Sequence, residues 1–269
     1  MLTTLTAPAF AGTWYIEDGD ITISAGESGN NVTQNKETTV NDHDTIITNR
    51  EEGASSHTVT IDAKDEDDKV EVTLKDVNID ASSRSEAAVS VTGKGDTTIE
   101  LDGDNELKSG AGHAGLEHNK TDTSGELTIQ DKDKNGSLEA AGGFKGAGIG
   151  SAGSNDAQVK ITGGNITATT SDDWGAGIGS GSYGTGTVEI TGGEINATGG
   201  YLGAGIGGGT SGNGKVTITG DAVIEESIGG SSGAGAGNAT GGAGIGGGAN
   251  GHGTIDISGN AQVKNALGK

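Results

Sequence analysis

Apolar residues in this chain come in short alternating triplets rather than in helical stripes. Val70-Glu71-Val72, Ile99-Glu100-Leu101, Leu127-Thr128-Ile129, Val159-Lys160-Ile161, Val188-Glu189-Ile190, Val216-Thr217-Ile218 and Ile255-Asp256-Ile257 follow one another at intervals of 29, 28, 32, 29, 28 and 39 residues. Period-two alternation buries one side of a strand and leaves the other in solvent. About seven residues after a triplet comes a second apolar pair, as in Val77 and Ile79, Ile166 and Ala168, or Ile195 and Ala197. A third pair is the Ala and Ile of Gly-Ala-Gly-Ile-Gly, which stands at Gly146–Gly150, Gly175–Gly179, Gly203–Gly207 and Gly242–Gly246. Ala114-Gly115-Leu116 is a degenerate copy.

Glycine steps between the pairs supply the positive-φ conformations that turn a corner. The pattern therefore predicts an all-β chain: a single-stranded right-handed parallel β-helix, or β-solenoid, of about nine coils of about 28 residues, with three short strands per coil. At the usual strand spacing the stack would rise roughly 45 Å. No single coil can bury its own Val, Ile and Ala, so each is buried against its neighbours. Small residues in Gly-Ala-Gly-Ile-Gly imply a tight third face that a bulkier side chain at Ala176 or Ala204 would overpack. Residues 70–269 are expected to be the regular solenoid. Residues 12–69 would be an N-terminal cap with irregular first coils, including Ile21-Thr22-Ile23 and Val59-Thr60-Ile61. Residues 1–11 end on Ala9-Phe10-Ala11, the small-x-small pattern of a signal-peptidase site, and read as the remnant of an export leader with Gly12 as the mature start.

Composition sharpens this picture. With 54 glycines, one proline, no cysteine and 3% aromatic residues, the chain could not fill a compact globular core, so stability must come from stacking. The formal charge of −22 repels phosphate backbones and anionic lipid surfaces, which argues against a nucleic-acid partner. No run of 18 apolar residues exists to form a membrane-spanning helix. Nothing in the pattern sets an oligomeric state.

The segments at 187–209, TVEITGGEINATGGYLGAGIGGG, and at 158–181, QVKITGGNITATTSDDWGAGIGSG, resemble the repeats of β-helical carbohydrate-binding-domain proteins on the surfaces of clostridia and related gut bacteria. The resemblance covers about residues 70–269. It implies a right-handed parallel β-helix, calcium sites and binding of plant polysaccharides such as pectin or cellulose. It assigns no binding residues, because the repeated positions are corner glycines and core apolars.

Candidate chemistry lies between the repeats. Asp131, Asp133, Asn135 and Ser137 place oxygen donors at alternate positions with Gly136 at the sixth, the first half of a calcium loop. The glutamate of an EF-hand would fall at Gly142, and Glu139 is the nearest replacement. Phe144, Trp174 and Tyr201 stand just before three successive Gly-Ala-Gly-Ile-Gly copies at spacings of 30 and 27, with Trp174 offset by one residue. They predict an aromatic ladder near one corner, with Tyr183 bordering it. Rungs about 4.8 Å apart match one sugar unit of a β-linked chain, and aromatic faces suit pyranose C–H faces. Thr162, Thr191, Thr219 and Ser258 form a second stack of hydroxyls, read as solvated surface.

Catalysis finds less support. The two arginines, Arg50 and Arg84, lie outside the regular coils, and no carboxylate pair recurs in a context that sets the separation glycoside hydrolysis needs. His113 and His118 flank the degenerate copy and read as solvent-facing loop residues. The sequence therefore points to a non-catalytic, extracellular or cell-surface bacterial module that binds plant or host polysaccharide, with calcium as the expected cation. A structural stalk or adhesin element, and a polysaccharide lyase or hydrolase, are the alternatives.

Overall fold

The structure is a computed structural model and describes residues 11–171, 174–231 and 241–269. Parallel strands stack into three faces. Among the described residues the first face holds nine: Thr13–Tyr15, Thr45–Thr48, Lys69–Lys75, Asp96–Asp102, Leu127–Gln130, Asp156–Ile161, Gly186–Ile190, Gly214–Ile218 and Gly253–Ile257. The second face begins with an isolated bridge from Ser55 to Ile79 and continues through Asp104–Lys108, Ser137–Gly142, Asn165–Thr170, Glu194–Thr198 and Val223–Ile228. The third runs from Ile21–Ala25 through Val59–Ala63, Val89–Gly93 and Leu116–Lys120 into the two-residue strands Ile149–Gly150, Ile178–Gly179, Ile206–Gly207 and Ile245–Gly246. The chain is thus an all-β solenoid with three short strands per coil.

Like side chains stack on like. Ile161, Ile190 and Ile218 form one inward column, Ile166, Ile195 and Ile224 another, and Ile149, Ile178 and Ile206 a third, all fully buried. Ala176 and Ala204 are also fully buried. A glycine ends each short third-face strand because the backbone there takes a φ that L side chains rarely adopt, +137° at Gly150, +133° at Gly179 and +129° at Gly207. These glycines also sit carbonyl to backbone: a Cβ on Gly179 would lie 2.0 Å from the oxygen of Gly207. The Gly230 N–H donates to Gly203 O at 2.8 Å, and the Gly242 N–H donates to Gly230 O at 2.9 Å.

Two expectations need correction. The triplet Ile99-Glu100-Leu101 does not lie over Val70-Glu71-Val72. Val72 pairs with Ile99 and Leu74 with Leu101, while Val70 sits beside Thr97, which in turn pairs with Leu127. A slip of two residues leaves every inward position inward, so alternation alone cannot detect it. The corner sets the register instead: the left-handed residues Asp76 and Gly103 end their strands at the same level. His118 is not a solvent-facing loop residue. At this coil the third-face strand is five residues long, Leu116–Lys120, and turns the ring inward until it is only 2% exposed.

At the N-terminal end an antiparallel hairpin, Asn30–Gln34 with Glu37–Asp42, pairs with Ile21–Ala25 and buries Val32. Ile21 and Ile23 lie on the third face rather than over the Val-x-Ile column. Of the expected leader, residues 1–10 lie outside the described residues. At the other end Ile255 and Ile257, which stack on the buried Val216 and Ile218, are nearly half exposed on the last described rung of the first face. No helix among the described residues is long and apolar enough to cross a membrane.

Candidate functional site

The third face is flanked by two loops per coil, one before and one after the short strand, and the glycines let the loops of successive coils touch. Ser182 N donates to Lys145 O at 3.1 Å, Tyr183 N to Thr210 O at 2.8 Å, and Thr210 N to Trp174 O at 2.7 Å. Ser180, buried directly after its strand, fixes the Tyr183 loop: its Oγ donates to Gly184 O at 2.7 Å and accepts from Gly209 N at 3.1 Å. Lys145 and Tyr183 both adopt left-handed backbone conformations, φ +69° and +68°, which lift their side chains away from the stack.

These loops bring three of the four predicted aromatics together. The rings of Phe144 and Trp174 are 5.9 Å apart and tilted, and those of Trp174 and Tyr183 are 6.4 Å apart and nearly perpendicular. Both geometries are favourable for aromatic quadrupoles. The Nζ of Lys145 lies 5.1 Å from the Phe144 centroid and 5.2 Å from that of Trp174, within cation–π range. Phe144 and Tyr183 remain about half exposed, 44% and 58%. The result is an aromatic platform with one cation, on a protein of strongly negative charge. Tyr201 does not join it. Among the described residues its ring meets none of the other three, and its carbonyl accepts a hydrogen bond from Thr210 Oγ1.

The acidic loop is tied together by its own hydrogen bonds. Both oxygens of Asp131 accept hydrogen bonds from its own turn, from Asn135 N at 3.2 Å and Gly136 N at 3.1 Å. Asn135 Nδ2 reaches back to Asp102 Oδ1, and Ser137 Oγ donates to Asp104 Oδ1. Asp133 is exposed in the turn, and Glu139 points outward from the second face beside Glu106 and Thr167. Asp131, Asp133 and Glu139 do not converge to hold a cation, nor does any other group of three such residues among the described residues. Asp131 instead closes one end of a groove of about 560 Å³ that runs along the corner between first and second faces. Gly163, Gly164, Gly192 and Gly193 form its floor, with Glu194 and Asp221 further along.

Half of the lysines and arginines engage in ion pairs among the described residues. Arg84 pairs with Asp20 and Glu86, and Arg50 with Asp18 while lying 4.1 Å from the Tyr15 ring. Along the outer first face, Lys132 bridges Glu71 and Glu100, and Lys160 lies between Glu126 and Glu189. His113 Nδ1 is 2.9 Å from the buried Glu117 carboxylate. His118 places Nε2 3.0 Å from Gly125 O and Nδ1 3.3 Å from Val91 O. Burial pushes the His118 pKa down, against the upward pull of the two carbonyls.

Sequence reasoning missed Lys145 and Ser180. Lys145 occurs once and leaves no repeat signal, whereas the serine after Gly-Ala-Gly-Ile-Gly does recur, at Ser151 and Ser180.

A beta helix repeat family model matches residues 159–182 and 188–210, the rungs that carry Trp174 and Tyr201. No curated protein matches the sequence. Among solved structures the chain is similar to a polysaccharide lyase-like protein from C. thermocellum, solved as a gadolinium derivative. The two are 19% identical, 91% of this chain and 94% of that chain are covered, and the TM-score is 0.38.

Proposed function

We propose that the protein is a non-catalytic polysaccharide-binding module of a bacterial surface, and that it holds its glycan on the lateral platform of Phe144, Trp174 and Tyr183. One observation carries this reading: three aromatic rings from two successive coils are gathered on the outside of the solenoid, Phe144 and Tyr183 about half exposed and Trp174 partly covered between them. Rings held by backbone hydrogen bonds lose little entropy on contact with a sugar face, and Lys145 beside them suits an acidic sugar. The resemblance of the repeats at 158–181 and 187–209 to carbohydrate-binding surface proteins supports the same class.

Affinity electrophoresis and calorimetry against plant and host polysaccharides test it. Trp174→Ala and Tyr183→Ala are expected to weaken binding about tenfold or more each, as truncating an aromatic anchor does, with circular dichroism unchanged. Lys145→Met should weaken uronate-rich glycans more than neutral ones. Titrations with calcium and with a chelator test the cation expected from the Asp131 loop. Intact binding in both aromatic variants would sink the reading and leave the stalk or adhesin alternative. Release of unsaturated or reducing ends during the titration would establish the lyase or hydrolase.

A further inference from the structure

Asp42 is fully buried at the N-terminal end of the solenoid. Its Oδ1 accepts from Gly12 N at 2.8 Å and Asp44 N at 3.3 Å, and its Oδ2 accepts from Trp14 Nε1 at 2.8 Å. No lysine, arginine or histidine pairs with it among the described residues. A buried carboxylate held only by neutral donors has given up its hydration without a countercharge, which is costly.

Of its donors, the backbone nitrogen at 2.8 Å belongs to the residue that follows Ala9-Phe10-Ala11. The chain changes character at that bond. Ala11 is exposed, whereas Gly12 is buried, its carbonyl accepts from Ile46 N at 2.9 Å, and Thr13–Tyr15 enters the first face. We infer that the Ala11–Gly12 peptide bond is a processing site, and that its hydrolysis supplies the missing countercharge, the α-ammonium of Gly12 closing an ion pair on Asp42. Water adds across the bond, Ala11 leaves as a carboxylate, and the freed amine takes up a proton, as an α-amino group does near neutral pH. The same nitrogen that donated one hydrogen bond as an amide then brings three N–H groups and a positive charge to the buried carboxylate. Cleavage does not merely remove a leader: it completes the cap on which the first coil rests.

The test compares the full chain with two chains that differ by one residue, beginning at Ala11 and at Gly12, each with Asp42 and with Asp42→Asn. The Gly12 chain is expected to melt roughly 5 °C or more above the other two, because only it places the ammonium on the carboxylate. Asp42→Asn should erase that difference. Should Asp42→Asn fail to fold, the comparison of the Ala11 and Gly12 chains decides alone. Equal melting of the two overturns the inference, as does mass spectrometry showing that the exported protein begins at a residue other than Gly12.

Discussion

Replacing Gly179 by alanine puts a methyl group 2.0 Å from the carbonyl oxygen of Gly207, on a backbone with φ of +133°. Gly112 provides the control: its φ is +92°, and a Cβ there meets nothing within 4 Å. Both substitutions incur the backbone strain of a non-glycine residue in a rare conformation, about 1–3 kcal/mol. Only Gly179→Ala also forces two rungs apart, and because the obstructing atom is backbone rather than a flexible side chain, the overpacking adds about 1–3 kcal/mol. At roughly 2–4 °C per kcal/mol for a chain of this length, Gly179→Ala should melt at least about 2 °C below Gly112→Ala. Thermal melts followed by circular dichroism measure the gap. Hydrogen exchange locates it, with protection lost first at Ile178–Gly179 and Ile206–Gly207, since a solenoid rung contacts only its neighbours. Equal melting of the two variants would refute the idea that carbonyl-to-glycine contact between rungs limits this face.

Two further predictions concern pH. Burial holds the His118 pKa below its ordinary value, so between the two values the unfolded chain binds a proton that the folded chain does not. Stability is full above about pH 6.5 and falls as the pH drops through the folded value, and His118→Gln should flatten urea midpoints measured from pH 8 to 5. For Asp20, burial raises the pKa, but the Arg84 hydrogen bonds and charge, the Thr58 amide and His57 together pull it down to about 2 from the ordinary 3.8. Its contribution is present above pH 3.8 and lost as the pH falls towards 2. Arg84→Met should therefore move the acid-unfolding midpoint upward, and an unmoved midpoint would deny the pair any role.

The columns of isoleucine were legible in the sequence because stacking demands the same residue at the same point of every lap. Ile149, Ile178 and Ile206 repeat for that reason. Registers fixed by corners were not, as the displacement of Ile99 onto Val72 illustrates: a period of two cannot count how many pairs a strand contains. The aromatic site was legible in part. Phe144 and Trp174 are neighbours because they precede successive third-face strands, whereas Tyr183 reaches them from the loop on the far side of the strand. That meeting depends on how closely glycine loops can approach. Tyr201, written in the same sequence context, stands away from the cluster. Asp42 gave no signal, since its meaning lies in Gly12, thirty residues away, and no repeat joins the two.

Gly230 and Gly242 are joined by a main-chain hydrogen bond, and Gly230 is joined in turn to Gly203 of the rung before. Once two points of a chain are pinned together, lengthening the sequence between them costs little, about 0.6 kcal/mol for each doubling. A peptide tag or a small folded domain grafted into the sequence between Ser231 and Gly241 should therefore leave the rungs pinned by Gly230 and Gly242 in register.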